Sequence, residues 1–137
     1  MAKHFLVVCL VLFVFFSGSL ATVPQDVNAA PNVYLNRPGE VTGPFRFMFE
    51  VIDVAGLGNI NFETFRIYLN GQEVVDLNTM IALYEVGYWY LSQLGVNHLQ
   101  GIFPSVELPP GTWEIRVSVA DKNGVTGSDA CTVVVRP

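Results

Sequence analysis

The stretch Gly111-Thr112-Trp113-Glu114-Ile115-Arg116-Val117-Ser118-Val119-Ala120, followed by Asp121-Lys122-Asn123-Gly124 and then Val125-Thr126-Gly127-Ser128-Asp129-Ala130-Cys131-Thr132-Val133-Val134-Val135, decides the fold. From Thr112 to Ala120 apolar and polar residues alternate. Trp113, Ile115, Val117 and Val119 share one face, which the sequence assigns to a core. Period two is the mark of a half-buried strand. Asp121-Lys122-Asn123-Gly124 has turn chemistry, because Asn and Gly tolerate positive φ. The return strand puts Cys131, Val133 and Val135 on its own apolar face. The pattern is that of a closing β-hairpin.

Working back from it, Pro109-Pro110-Gly111 is a rigid turn into this hairpin. Phe45, Phe47, Phe49 and Val51 alternate with Arg46, Met48 and Glu50. The phase then slips, which predicts a bulge near Val51 or Ile52, or the end of the strand. Phe65, Ile67 and Leu69 mark a further strand that runs into Asn70-Gly71, a strong hairpin signal. Its return arm is Gln72–Leu77. Asn32–Leu35 reads as a short first strand. His98–Leu108 reads as an interrupted one, with Pro104 at an edge or a bend.

The segment 78–94 fits two readings. A helix has Asn78 as its cap and a partial apolar stripe, but Gly87 falls in its middle. A strand over about Leu83–Leu91 suits the aromatics Tyr84, Tyr88, Trp89 and Tyr90 better, with an opening helical turn. The expected fold is therefore all-β: a two-sheet sandwich of about seven or eight antiparallel strands with short turns.

The N-terminus reads differently. Met1-Ala2-Lys3-His4 is short and basic, Phe5–Phe16 is an apolar run of 12 residues, and Ser17-Gly18-Ser19-Leu20-Ala21 is small-residue rich. This is the pattern of a signal peptide cleaved after Ala21. Twelve helical residues rise only about 18 Å, short of the roughly 30 Å hydrocarbon core. No stable membrane insertion is expected after cleavage. Residues 22–31 read as a flexible arm and 32–136 as the folded domain, in a secreted or periplasmic setting.

Removing 21 of the 137 residues leaves 116, with 6 basic and 12 acidic side chains. That balance argues against nucleic acid, which takes basic side chains to displace counterions. Cys131 is the one cysteine beyond the leader. The domain must stand on its apolar core, and Cys131 is expected to be buried and inert.

Phe62-Glu63-Thr64-Phe65-Arg66-Ile67-Tyr68-Leu69-Asn70-Gly71 together with Leu108-Pro109-Pro110-Gly111-Thr112-Trp113 and Ala120-Asp121-Lys122-Asn123-Gly124 resembles the bacterial immunoglobulin-like domains of secreted and cell-surface proteins. The resemblance covers roughly residues 31–136. It implies an immunoglobulin-like sandwich acting as an adhesive, spacer or ligand-binding module.

Sites for chemistry are sparse. His98 is the single histidine past residue 4. A triad would need it beside Ser92 or Ser105 and a carboxylate such as Glu85 or Glu107, and nothing in the spacing selects that set. One histidine and one buried cysteine do not make a zinc site. Asp121 and Asn123 are weak calcium candidates. Asp121-x-Asn123-Gly124 opens like an EF-hand loop, but Thr132 stands where the bidentate Glu belongs. No cofactor is expected.

The aromatic run is the best binding candidate. On a strand, Tyr88 and Tyr90 face one way and Trp89 the other, so an outward ring with Tyr84 beside it could meet a sugar or a protein partner. The leading expectation is a noncatalytic extracytoplasmic binding or adhesion module with a protein or polysaccharide partner. A structural subunit of an envelope or extracellular assembly, joined by edge strands, is the second. A small secreted enzyme or enzyme inhibitor is the third.

Overall fold

The computed structural model describes residues 29–137. The expected leader over 1–21 and the arm up to residue 28 lie outside the described residues. Two sheets face each other. One contains β1 (Asn32–Leu35), β3 (Phe45–Ile52), β7 (His98–Val106) and β6 (Tyr90–Gly95), in the order β1-β3-β7-β6. The other contains β2 (Gly39–Val41), β9 (Thr126–Val135), β8 (Gly111–Asp121), β4 (Ile60–Leu69) and β5 (Gln72–Val75), in the order β2-β9-β8-β4-β5. In immunoglobulin lettering this is A-B-E-D against A′-G-F-C-C′, so the sandwich is immunoglobulin-like.

Two details depart from the expected count and pairing. There are nine strands among the described residues, and β2 runs parallel to β9. The first strand is split: β1 pairs with β3 in one sheet, and β2 joins the other. Pro38 and Gly39, the latter at φ 70°, turn the chain between them. Asn36-Arg37-Pro38-Gly39-Glu40 has turn chemistry in the sequence, and the three residues of β2 carry too little periodicity to read as a strand.

The core lies between the sheets where the alternation placed it. Phe45, Phe47, Phe49 and Val51 of β3 meet Ile115, Val117 and Val119 of β8 and Cys131, Val133 and Val135 of β9 in one buried cluster. Phe49 and Phe65 bridge the sheets with ring centroids 5.1 Å apart. Gly101 lies beneath the Phe49 ring, where a Cβ would collide with it. Trp113, expected in the core, is only half-buried at the end of β8. Its indole N–H donates to the Pro109 carbonyl oxygen at 2.9 Å.

The expected bulge near Val51 or Ile52 is absent: β1 and β7 both pair regularly with β3 there, and the strand ends at Ile52. The irregularities fall elsewhere. In β4 the register with β8 shifts between Asn61 and Arg66. There the Thr64 hydroxyl donates to the Asn61 carbonyl oxygen at 2.6 Å and accepts the Ala120 N–H at 2.7 Å. This lets Phe62 and Phe65, an odd number of residues apart, both turn inward. The Asn70-Gly71 turn forms as the sequence predicts, with φ of 50° and 82°, both positive as a type I′ turn requires.

Pro104 has a specific place. Asn36 N–H donates to Met48 O at 3.1 Å and Met48 N–H donates to Asn36 Oδ1 at 2.9 Å, so Met48 turns both backbone groups toward β1. Backbone direction alternates along a strand, so Phe47 and Phe49 face β7. Carried through the pairs Phe49↔Gly101 and Phe47↔Phe103, the alternation turns Gln100, Ile102 and Pro104 toward β6. The β6 pairing ends at Tyr90↔Ile102, so the N–H that Pro104 lacks is not needed by the ladder.

The segment 78–94 is the main correction. Leu77–Glu85 is a helix, α1, and not a strand over Leu83–Leu91. Asp76, not Asn78, caps it: Asp76 Oδ1 accepts from the Thr79 N–H at 2.9 Å and the Thr79 hydroxyl at 2.8 Å. Those two bonds hold the Asp76 carboxyl below its ordinary pKa. Gly87 ends the helix instead of interrupting it. At φ 85° it donates to Tyr84 O at 3.0 Å, while Tyr88 N–H donates to Leu83 O at 2.9 Å. That pair of bonds is a Schellman cap.

Candidate ligand groove

The Schellman cap sets the directions of the three aromatics that follow. Tyr88 leaves the helix outward and is 60% exposed. Trp89 turns into the core at 7% exposure and donates its indole N–H to the Met80 carbonyl oxygen at 2.7 Å. Its ring stacks on Phe103 at 5.9 Å and meets Tyr84 edge-on at 5.6 Å. Tyr90, 47% exposed, starts β6 opposite Ile102. Of the four predicted residues, Trp89 belongs to the core and Tyr84 packs against it, half-buried. Trp89 therefore offers no surface for a ligand. Tyr88 and Tyr90 stand at the surface in different surroundings.

Tyr88 lines a groove of about 600 Å³ at the side of the sandwich. Val74 and Val75 of β5, Leu83 of α1 and Gly87 form one wall. The run from Phe103 through Leu108 forms the other. Phe47, Ile67, Leu69 and Ile115 from the two sheets complete the lining. The groove exists because β6 pairs with β7 only as far as Ile102, while β7 runs on to Val106. Its lining is mostly apolar, and Glu107 is the one charged residue in it. Concave, mainly apolar sites of this size with few polar groups suit small ligands or a protruding side chain.

Sequence reasoning missed the groove, since its walls come from β5, α1 and the end of β7. The signal that was available is the helix cap itself, Asp76-x-x-Thr79 at one end and Gly87 at the other. With α1 in place, Tyr88 falls at the mouth of a cleft and Trp89 inside.

The other expected candidates are apart from the groove. His98 Nε2 lies 2.7 Å from Glu50 Oε1 on the outer face of the first sheet. The carboxylate bonded to it is thus Glu50, not Glu85 or Glu107. Asp121 and Asn123 sit in the β8–β9 turn, where Asp121 Oδ1 accepts the N–H groups of Asn123 and Val125, both at 2.9 Å. That is the ordinary work of a turn aspartate. Asp53, also buried, accepts Ala55 N–H at 2.8 Å and the Asn59 side-chain amide at 3.2 Å. Among the described residues no three His, Cys, Asp or Glu side chains gather as metal ligands. None of the helices described is long and apolar enough to cross a membrane.

No family model matches the chain, and no curated protein matches it. Solved structures to which it is similar include the fibronectin(III)-like modules of CbhA from Clostridium thermocellum, with 14% identity over 77% of this chain and 46% of that one and a TM-score of 0.46. A putative beta-galactosidase from Bacteroides fragilis shows 18% identity over 78% of this chain and 13% of that one, with a TM-score of 0.45. CopC from Methylosinus trichosporium OB3b shows 13% identity over 77% and 95%, with a TM-score of 0.40. The chain spans less than half the length of the first two. No function passes from them to this chain.

Proposed function

We propose that this chain is a noncatalytic extracytoplasmic binding module whose ligand lodges in the groove beside Tyr88. The observation that carries the reading is the groove itself: about 600 Å³, mostly apolar, with an exposed tyrosine at its mouth. A concave, mostly apolar site with an aromatic ring at its mouth has the form of a ligand site, and aromatics are favoured anchors for a partner. The leader pattern over 1–21 supports a secreted or periplasmic setting, with residues 32–136 as the binding domain. The ligand is an apolar group of a protein or polysaccharide partner.

The test uses the purified chain against envelope proteins and a panel of soluble polysaccharides, with Tyr88→Ala as the comparison after its fold is verified. Trp113 and Trp89 supply a fluorescence readout, and Trp89 stacks on the groove residue Phe103. Saturable binding that shifts the fluorescence and weakens about tenfold or more in Tyr88→Ala supports the groove. Binding that is unaltered by Tyr88→Ala, or no binding to any of these, overturns it.

A further inference from the structure

Five of the eight large hydrophobic side chains that stand exposed among the described residues fall in one run of eleven: Val86, Tyr88, Tyr90, Leu94 and Val96. That run contains β6, an outer strand of the first sheet. β6 reads Tyr90-Leu91-Ser92-Gln93-Leu94-Gly95, with no charge and no proline. Open strand edges are normally blunted by charge, proline, shortness or cover.

The other three sheet edges among the described residues are blunted. On β1, the outward N–H of Leu35 is taken by Asp129 Oδ2 at 2.9 Å. β2 is three residues long and carries the Glu40–Arg136 ion pair at 2.6 Å. β5 is four residues long and carries Glu73, paired to Arg66 at 3.1 Å. β6 alone among them is six residues long and uncharged, and no strand among the described residues pairs with its outer edge.

Its backbone is also aimed outward. Gln100 and Ile102 face β6, so their partners Ser92 and Tyr90 face β7. Leu91 and Gln93 therefore turn their N–H and C=O groups to the free edge. Four backbone groups stand ready for a fifth strand.

We infer that β6 pairs antiparallel with β6 of a second copy of this chain, about a two-fold axis at Ser92. The sequence is self-complementary in that register. Leu91 of each copy meets Gln93 of the other, and the four outward groups on each strand are all bonded. Tyr90, 47% exposed, meets Leu94, 53% exposed, so each exposed apolar side chain covers the other. No like charges are brought together, because the strand has none. A two-fold contact of this kind is isologous and closes at two copies. One strand pair buries less than the roughly 1,600 Å² of a standard interface, so the dimer is weak and dependent on concentration.

The experiment is sedimentation velocity over a wide concentration range, joined to amide hydrogen exchange at low and high concentration. The expected result is a monomer–dimer equilibrium in which the Leu91 and Gln93 amides gain protection on dimerisation. Tyr90 and Ser92 amides, already in the β7 ladder, change little. Leu94→Lys and Gln93→Pro each raise the dimer dissociation constant at least about tenfold. Gln93→Pro removes an outward N–H that β7 does not use, so the fold survives it. Tyr34→Lys, at the opposite edge of the same sheet, leaves the constant unaltered. A monomer at every concentration overturns the inference. So does a dimer weakened as much by Tyr34→Lys as by Leu94→Lys, or a dimer without new protection at Leu91 and Gln93. Occupation of the same edge by a different protein, with no self-association, also overturns it. The Tyr88→Ala test of the groove is read separately, since Tyr88 precedes the paired strand.

Discussion

The Trp89 indole N–H donates to the main-chain oxygen of Met80 at 2.7 Å, within the core. That bond ties the strand leaving α1 back onto the helix. The ring meanwhile fills the space between Tyr84 and Phe103. Replacing Trp89 with alanine should cost about 3–5 kcal/mol, as for a large buried aromatic. Trp89→Phe should cost less, about 1–3 kcal/mol, from the lost indole bond to the Met80 oxygen and the lost volume. Half-buried Trp113 is the comparison, and Trp113→Ala should cost clearly less than Trp89→Ala. Urea unfolding of the three variants checks the order, and equal losses for the two alanine variants would contradict it.

Gly101 occupies the inner face of β7 because the Phe49 ring lies where its side chain would be. Gly101→Ala should overpack the core and destabilise by about 1–3 kcal/mol. Adding Phe49→Leu to that variant should recover part of the loss, since it removes the clashing ring edge. A double-mutant cycle by thermal or urea unfolding measures the coupling.

Asp129 joins β9 to the first strand. Burial pushes its carboxyl up, but the N–H groups of Leu35 and Ala130 and the Arg37 guanidinium outweigh burial and hold it below its ordinary 3.8. A carboxyl depressed by folding adds stability that is present above the unfolded pKa and lost as pH falls through the folded value. The native protein should therefore lose more stability than Asp129→Asn between about pH 4 and pH 2. Parallel acid limbs in urea midpoint against pH would refute this.

Cys131 is buried on the inner face of β9, and burial pushes its thiol up. A buried, protonated thiol is a poor nucleophile. Native protein should react with a thiol reagent far more slowly than urea-unfolded protein, and the rate should follow unfolding. Rapid labelling of the native chain would show that the β9 face opens.

Several parts of this protein were determined by sequence alone. The β8–β9 hairpin, the Phe45–Val51 strand, the Asn70-Gly71 turn and the burial of Cys131 follow from local alternation and turn chemistry. Those signals are local because each residue's side is fixed by its immediate neighbours. The rest was decided by tertiary structure. The parallel β2–β9 pair depends on a partner some ninety residues away in sequence. The helix α1 overrode the β-preference of its aromatics because Asp76 caps one end, Gly87 closes the other, and Met80 packs into the core. Tyr88, Trp89 and Tyr90 straddle the change from helical to strand period, where neither period can say which ring turns inward. Only the Schellman cap settles it, sending Trp89 to Met80 and leaving Tyr88 at the groove. The groove in turn exists only because the β6 pairing with β7 ends at Tyr90↔Ile102 while β7 continues to Val106, a difference of strand length that no single segment encodes.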